Sequence, residues 1–136
     1  MRFDYQFVER LREYRPLLPV QLISMIASVR TLALVDSGAD INVLPYSVGV
    51  QLGLNWHEQS SELAIRGARG QGEGYAVLLG LKFGTFPIAE QPFAWLDSDD
   101  YPLILGQANF FTDYNICFYF QQLQFEINLS KRRVSA

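Results

Sequence analysis

The chain has 136 residues, 49% of them hydrophobic and 18% charged, with ten Phe and seven Tyr. That is enough apolar chain to build the core of one domain, 1–136, and it excludes a disordered tail. A formal net charge of −3 gives no global attraction to nucleic acid or to an anionic membrane, so neither is expected as a partner.

In chain order, the N-terminal stretch MRFDYQFVERLREYR is mixed and charged and carries no secretory signal. Residues 1–15 read equally as an N-terminal arm, a removable pro-segment, or a strand or helix of an interface. The apolar window Leu17–Val35 is broken by Pro19, Gln21 and Arg30, so it reads as two strands and not a membrane span. The strands are expected at Val20–Ile26 and Thr31–Val35, with a turn at Ala27–Arg30. Pro45 and Gly53 bracket a short helix. SELAIR reads as a strand, followed by the glycine-rich tract GARGQGEG, Gly67–Gly74. YAVLLGLKFG and FPIAEQPFAWL read as two strands joined near Gly84–Thr85, and YPLILG as a short strand ending at Gly106. QANFFTDYN supplies one or two helical turns. ICFYF and LQFEI form a hairpin joined at Gln121–Gln122, with Leu123, Phe125 and Ile127 on one face and Gln124 and Glu126 on the other. The sum is an all-β domain, a barrel or sandwich, with one or two short helices.

The remaining chemistry-bearing residues read blandly. Cys117 is the only cysteine, which excludes an intrachain disulfide; inside NICFYF it reads as a small buried hydrophobe. The single His57 reads as a surface or half-buried residue. One Cys and one His make no zinc site. The acidic run Asp97–Asp100 reads as a solvated turn. Trp56 and Trp95 read as core or cleft-rim residues. The basic run Lys131–Arg133 lies in a loose tail, 129–136. The glycine tract lacks the G-x-G-x-x-G and G-K-[ST] patterns and precedes a strand, which speaks against phosphate binding. A soluble protein of the reducing cytoplasm is expected.

One stretch resists a bland reading. In LALVDSGADINVLP, Leu32–Pro45, an apolar strand runs straight into Asp36. A buried carboxylate costs several kcal/mol unless it is paired, hydrogen-bonded or neutralised. Gly38 lets the backbone turn, Ser37 offers a hydroxyl that can lock the loop, and Asp36 can act as a general base where its surroundings raise its pKa. Taken alone, D-S-G reads first as a turn Asp capping the segment that follows.

The flanks change that reading. An apolar strand into Asp36-Ser37-Gly38-Ala39, a glycine-bearing hairpin, then apolar YPLILG before a short helix and a final hairpin resembles the retropepsin-like aspartic proteases. The likeness runs from about Pro19 to Ile127. It implies an acid-protease barrel acting as a homodimeric endopeptidase on a polypeptide substrate, with no cofactor and no metal. It further implies that Asp36 is catalytic, that the Ser37 hydroxyl grips the opposite loop across the dimer axis, and that Gly38 and Ala39 line the cleft floor. Asp40 matches an acid that binds substrate backbone. Gly67, Ala68, Arg69, Gly70 and Gly72 fall in the flap over the substrate, and Leu105 and Gly106 in the loop beneath the catalytic turn. Three departures stand out. Gln107 occupies a position where many retroviral members have Arg, Ser37 replaces the commoner Thr, and the flap is longer and more polar. The rival readings are a peptide-binding or scaffold dimer of the same fold, and a monomeric domain in which Asp36 is structural.

Overall fold

Six strands close into a barrel in the computed structural model, which describes residues 1–59, 62–67 and 70–130. The strands are β1 (Arg2–Asp4), β2 (Gln6–Val8), β3 (Glu13–Arg15), β4 (Leu17–Ile23), β5 (Ser28–Val35), β6 (Val43–Leu44), β7 (Glu62–Gly67), β8 (Gly70–Lys82), β9 (Ala89–Leu96), β10 (Ile104–Leu105), β11 (Tyr114–Tyr119) and β12 (Gln124–Leu129). Two short helices, α1 (Tyr46–Gln51) and α2 (Phe110–Asp113), complete the regular structure. Round the ring the order is β4-β5-β10-β6-β9-β8, and β8 closes it by pairing with β4. β7 hangs from β8 as the other arm of a hairpin. β1, β12 and β11 form a separate three-stranded sheet, and β2 with β3 a small hairpin. The architecture is all-β with two short helices, as the sequence implies.

Alternation builds the barrel wall. In β4, Leu18, Val20 and Leu22 are buried while Pro19 between them is exposed. The same period puts Phe125 and Ile127 of β12 into the core at 0% exposure. The β4–β5 turn, however, lies at Ser24–Ala27, three residues before its expected place. Ser24 sets it: its amide donates to the Ala27 carbonyl (2.8 Å), and its hydroxyl accepts from the Ile26 and Ala27 amides and donates to the Leu52 carbonyl (2.7 Å). A hydroxyl satisfying a turn this way outcompetes a further residue of strand. α1 follows Pro45 and ends at Gly53, whose φ of 77° is a left-handed stop suited to glycine.

Of the glycine tract, Gly67 and residues 70–74 belong to the β7–β8 hairpin. Pairing runs from Gly67↔Gly70 to Glu62↔Tyr75, so β8 starts five residues earlier than the expected strand at Tyr75. Ala68 and Arg69 lie outside the described residues, as does the run Lys131–Arg133. Residues 2–4 are a strand: β1 pairs with β12, Phe3 opposite Phe125.

Two kinds of packing fill the interior. Leucines 18, 22, 44, 79, 81 and 105 line the barrel with Phe93 and Trp95. Toward the three-stranded sheet the filling becomes aromatic: Phe83 lies 4.9 Å from Phe86 and 5.1 Å from Tyr114, and Tyr114 stacks on Phe110 at 4.7 Å. Cys117 is exposed, contrary to the expected burial. It sits opposite Glu126 on the outward face of the β11–β12 ladder, where the alternation of Phe125 and Ile127 turns it away from the core. His57 is exposed too. No helix among the described residues is long and apolar enough to cross a membrane.

Candidate active site

β5 delivers Asp36 to the open end of the barrel. β10 runs parallel beside it, Leu105 opposite Val35, and the Asp36 amide donates to the Leu105 carbonyl (3.1 Å). The chain then turns sharply: the Ala39 amide donates to the Asp36 carbonyl (3.2 Å), and the Gly38 amide donates to Asp36 Oδ1 (2.9 Å). The carboxylate is half-buried, while Ser37 and Gly38 are exposed beside it. A backbone amide thus fixes the position of one carboxylate oxygen. Beside the loop lies a shallow recess of about 190 Å³, walled by Asp36 and Ser37 together with Tyr5, Arg15, Leu34 and Phe118. Burial pushes the Tyr5 phenol above its ordinary value.

A second loop holds the first. The Gln107 carboxamide donates to the Ser37 carbonyl, the Gln107 amide to the Ala39 carbonyl (2.9 Å), and the Ala108 amide to the Asp40 carbonyl (2.8 Å). Gly106 makes this approach possible. A Cβ there would meet the Ile41 carbonyl oxygen at 2.4 Å, so the two backbones could not lie this close around any larger residue. Leu105 and Gly106 thus lie against the Asp36 turn. Ala39 packs against a small apolar cluster of Val43, Leu96 and Ile104, and Asp40 is exposed. Gly67, Gly70 and Gly72 are in the β7–β8 hairpin backbone.

Beneath both loops lies a polar network that the sequence reading misses. Asn42 is 0% exposed, and all its groups are engaged. Its Oδ1 accepts from the Gly106 amide (2.8 Å). Its Nδ2 donates to Gln91 Oε1 (2.9 Å) and to the Pro92 carbonyl (3.1 Å). Its amide donates to Asn109 Oδ1 (2.9 Å), and its carbonyl accepts from the Ala94 amide (2.9 Å). Gln91, itself buried, donates onward to Asp113 Oδ2 (2.6 Å). Asn42 therefore ties the Gly106 loop to β9 and α2. The available signal was a lone amide in the apolar run INVLP: a polar group placed there must find its partners inside. The acidic run also has a local task, because Asp99 Oδ1 accepts from the Ser47 amide (2.8 Å) at the start of α1.

Comparison with known proteins agrees with this geometry. A family model described as aspartyl protease matches residues 24–108. No curated protein matches the chain. Among solved structures, a retropepsin-like aspartic protease from Rickettsia conorii superposes with a TM-score of 0.64 at 13% identity, over 93% of this chain and 98% of that one. EIAV protease, solved with the inhibitor HBY-793, superposes with a TM-score of 0.53 at 20% identity, over 74% of this chain and 88% of that one.

Proposed function

The chain belongs to the aspartyl protease family, and from that membership we propose that it is an endopeptidase working as a homodimer through two symmetry-related Asp36 carboxylates. The observation that carries this reading is an incomplete site. A pepsin-like hydrolysis needs two acids, and the chain holds one D-S-G turn, with its carboxylate presented at an open face beside a shallow recess. A second copy related by a two-fold axis supplies the missing half.

Two carboxylates ~3 Å apart at an effective dielectric of about 20 repel by about 5 kcal/mol if both are ionised. They therefore share a proton and titrate as a pair. The ionised member takes a proton from water, which attacks the scissile carbonyl. The protonated member donates to the carbonyl oxygen. The Gly38 amide on Asp36 Oδ1 sets the carboxylate plane, and Gln107 holds the Ser37 carbonyl from behind. The substrate is an extended polypeptide, bound by backbone hydrogen bonds between the floor at Ala39 and Asp40 and the β7–β8 hairpin, which acts as a flap.

The test is digestion of a peptide library at mildly acidic pH by the wild type and by Asp36→Asn, read by mass spectrometry. Expected are cleavage by the wild type, inhibition by a statine-type mimic, and a fall of about 10³-fold or more in the variant. The rate should decline as pH rises and the shared proton is lost. Activity that persists in Asp36→Asn would overturn the reading. Absence of cleavage by a folded, dimeric wild type would favour a peptide-binding role.

A further inference from the structure

Asp40 stands beside the catalytic turn with nothing to balance its charge. Its backbone is fixed: the Ala108 amide donates to its carbonyl (2.8 Å), and the Gln107 amide donates to that of Ala39 (2.9 Å). The carboxylate is exposed, and among the described residues it has no hydrogen-bond or ion-pair partner. Two side chains near the turn could have supplied one. Gln107 is uncharged, and its carboxamide donates to the Ser37 carbonyl instead. Arg15 walls the recess beside Asp36 and Ser37, but its guanidinium is engaged by Glu13, at 2.7 and 2.9 Å. A second copy brings the same arrangement, its own Arg15 committed in the same way.

Without substrate, water solvates this carboxylate. A bound peptide displaces that water, and a charge left unpaired beneath it is costly. A substrate backbone amide can satisfy one carboxylate oxygen but carries no charge. A Lys or Arg side chain does both: it donates hydrogen bonds and neutralises the acid. An acidic side chain adds repulsion. The wider field has the same sign. In the dimer proposed above, the Asp36 pair with its shared proton keeps a negative charge, and each subunit's Asp40 adds another. The chain as a whole has a formal net charge of −3, which favours the approach of a cationic peptide.

We infer that Asp40 is a specificity-determining residue, selecting polypeptides that carry Lys or Arg beside the scissile bond. This inference rests on the endopeptidase reading above and adds the substrate class. A two-fold axis through the Asp36 pair puts one Asp40 on each side of it, so the preference is expected on both sides of the cut.

The test uses peptides that differ only in one flanking residue, Lys, Gln or Glu, at the position a library digest shows to respond. They are digested by the wild type, Asp40→Asn and Asp40→Lys, and kcat/KM is read. The wild type should favour Lys over Glu by about tenfold at low salt, and added salt should shrink that ratio by screening the pair. Asp40→Asn should bring the ratio close to one, and Asp40→Lys should invert it. Because the readout is a ratio, a uniform loss of activity in a variant cancels. A wild type that cleaves with no preference for basic flanks overturns the inference and leaves the endopeptidase reading standing. So does a preference that persists in Asp40→Asn. A folded wild type that cleaves no peptide of either charge overturns both. Should the variants fail to fold, the wild type decides by itself: a Lys-to-Glu ratio unmoved by salt overturns the charge pairing.

Discussion

Two regions of this molecule, which meet at α2, are held together by different forces. Around Phe83, Phe110 and Tyr114, rings meet at 4.7 to 5.6 Å in tilted, edge-on and stacked pairs. Around Asn42, amides and one carboxylate meet at 2.6 to 3.1 Å in a connected network. Ring packing is strong and broadly tolerant of angle. Hydrogen bonding contributes less net stability but fixes direction, and a broken buried bond is costly. The aromatic end secures the fold, whereas the amide end fixes where the Asp36 and Gly106 loops stand. A loop that must present a carboxylate in one orientation gains more from directional bonds than from closeness.

The comparison breaks most sharply at Phe110. It is fully buried, and Phe110→Ala is expected to lose about 3–5 kcal/mol in denaturant unfolding, a large part of a typical domain's stability. Hydrolysis per folded molecule should hold. If activity fell with little change in stability, the division of labour would be wrong. Asn42→Ala comes next. It strands the Gly106 amide and Gln91 Oε1 without partners, at about 1–3 kcal/mol each, and should lower activity in the protein that remains folded.

Gln107→Ala sharpens the contrast, because Gln107 is exposed and its side chain reaches the turn bearing the acid. Its expected signature is a loss in kcat of about tenfold, worth about 1.4 kcal/mol in the transition state, with melting almost unmoved. An equal loss of stability would make it a structural brace only. The smallest effect belongs to Tyr114. Burial, with Asp113 adding to it, raises its phenol above 10.0. A raised folded-state value means that stability is complete below pH 10 and drains away as pH climbs through the raised value. Tyr114→Phe keeps the ring and removes the titration, so its alkaline unfolding midpoint should lie slightly above that of the wild type.

The aromatic end was easier to read in the sequence than the amide end. LQFEI alternates, and alternation alone places Phe125 and Ile127 inward. Pro45 and Gly53 bracket α1 through backbone rules that act locally. Asp36-Ser37-Gly38 and Gly106 stood out because a strand running into an acid, and a glycine closing an apolar run, each break a pattern. The network escaped because its members are 49 and 22 residues apart along the chain, and no local period links Asn42 to Gln91 or Gln91 to Asp113. Cys117 was misplaced for a related reason: its apolar neighbours suggest burial, but its parity on the ladder is set by β12. The β4–β5 turn moved three residues because Ser24 receives a tertiary partner, the Leu52 carbonyl, which no window around Ser24 contains.

The ring cluster beneath the β7–β8 hairpin has an optical consequence. Both tryptophans are in it: Trp95 is fully buried with its indole N–H on the Tyr46 carbonyl, and Trp56 lies 5.0 Å from Trp95 and 4.5 Å from Tyr75 of β8. With no third indole in the chain, intrinsic fluorescence is a single-locus signal. It comes from the root of the hairpin, so a peptide drawing that hairpin down over the cleft would announce itself in the emission without any label.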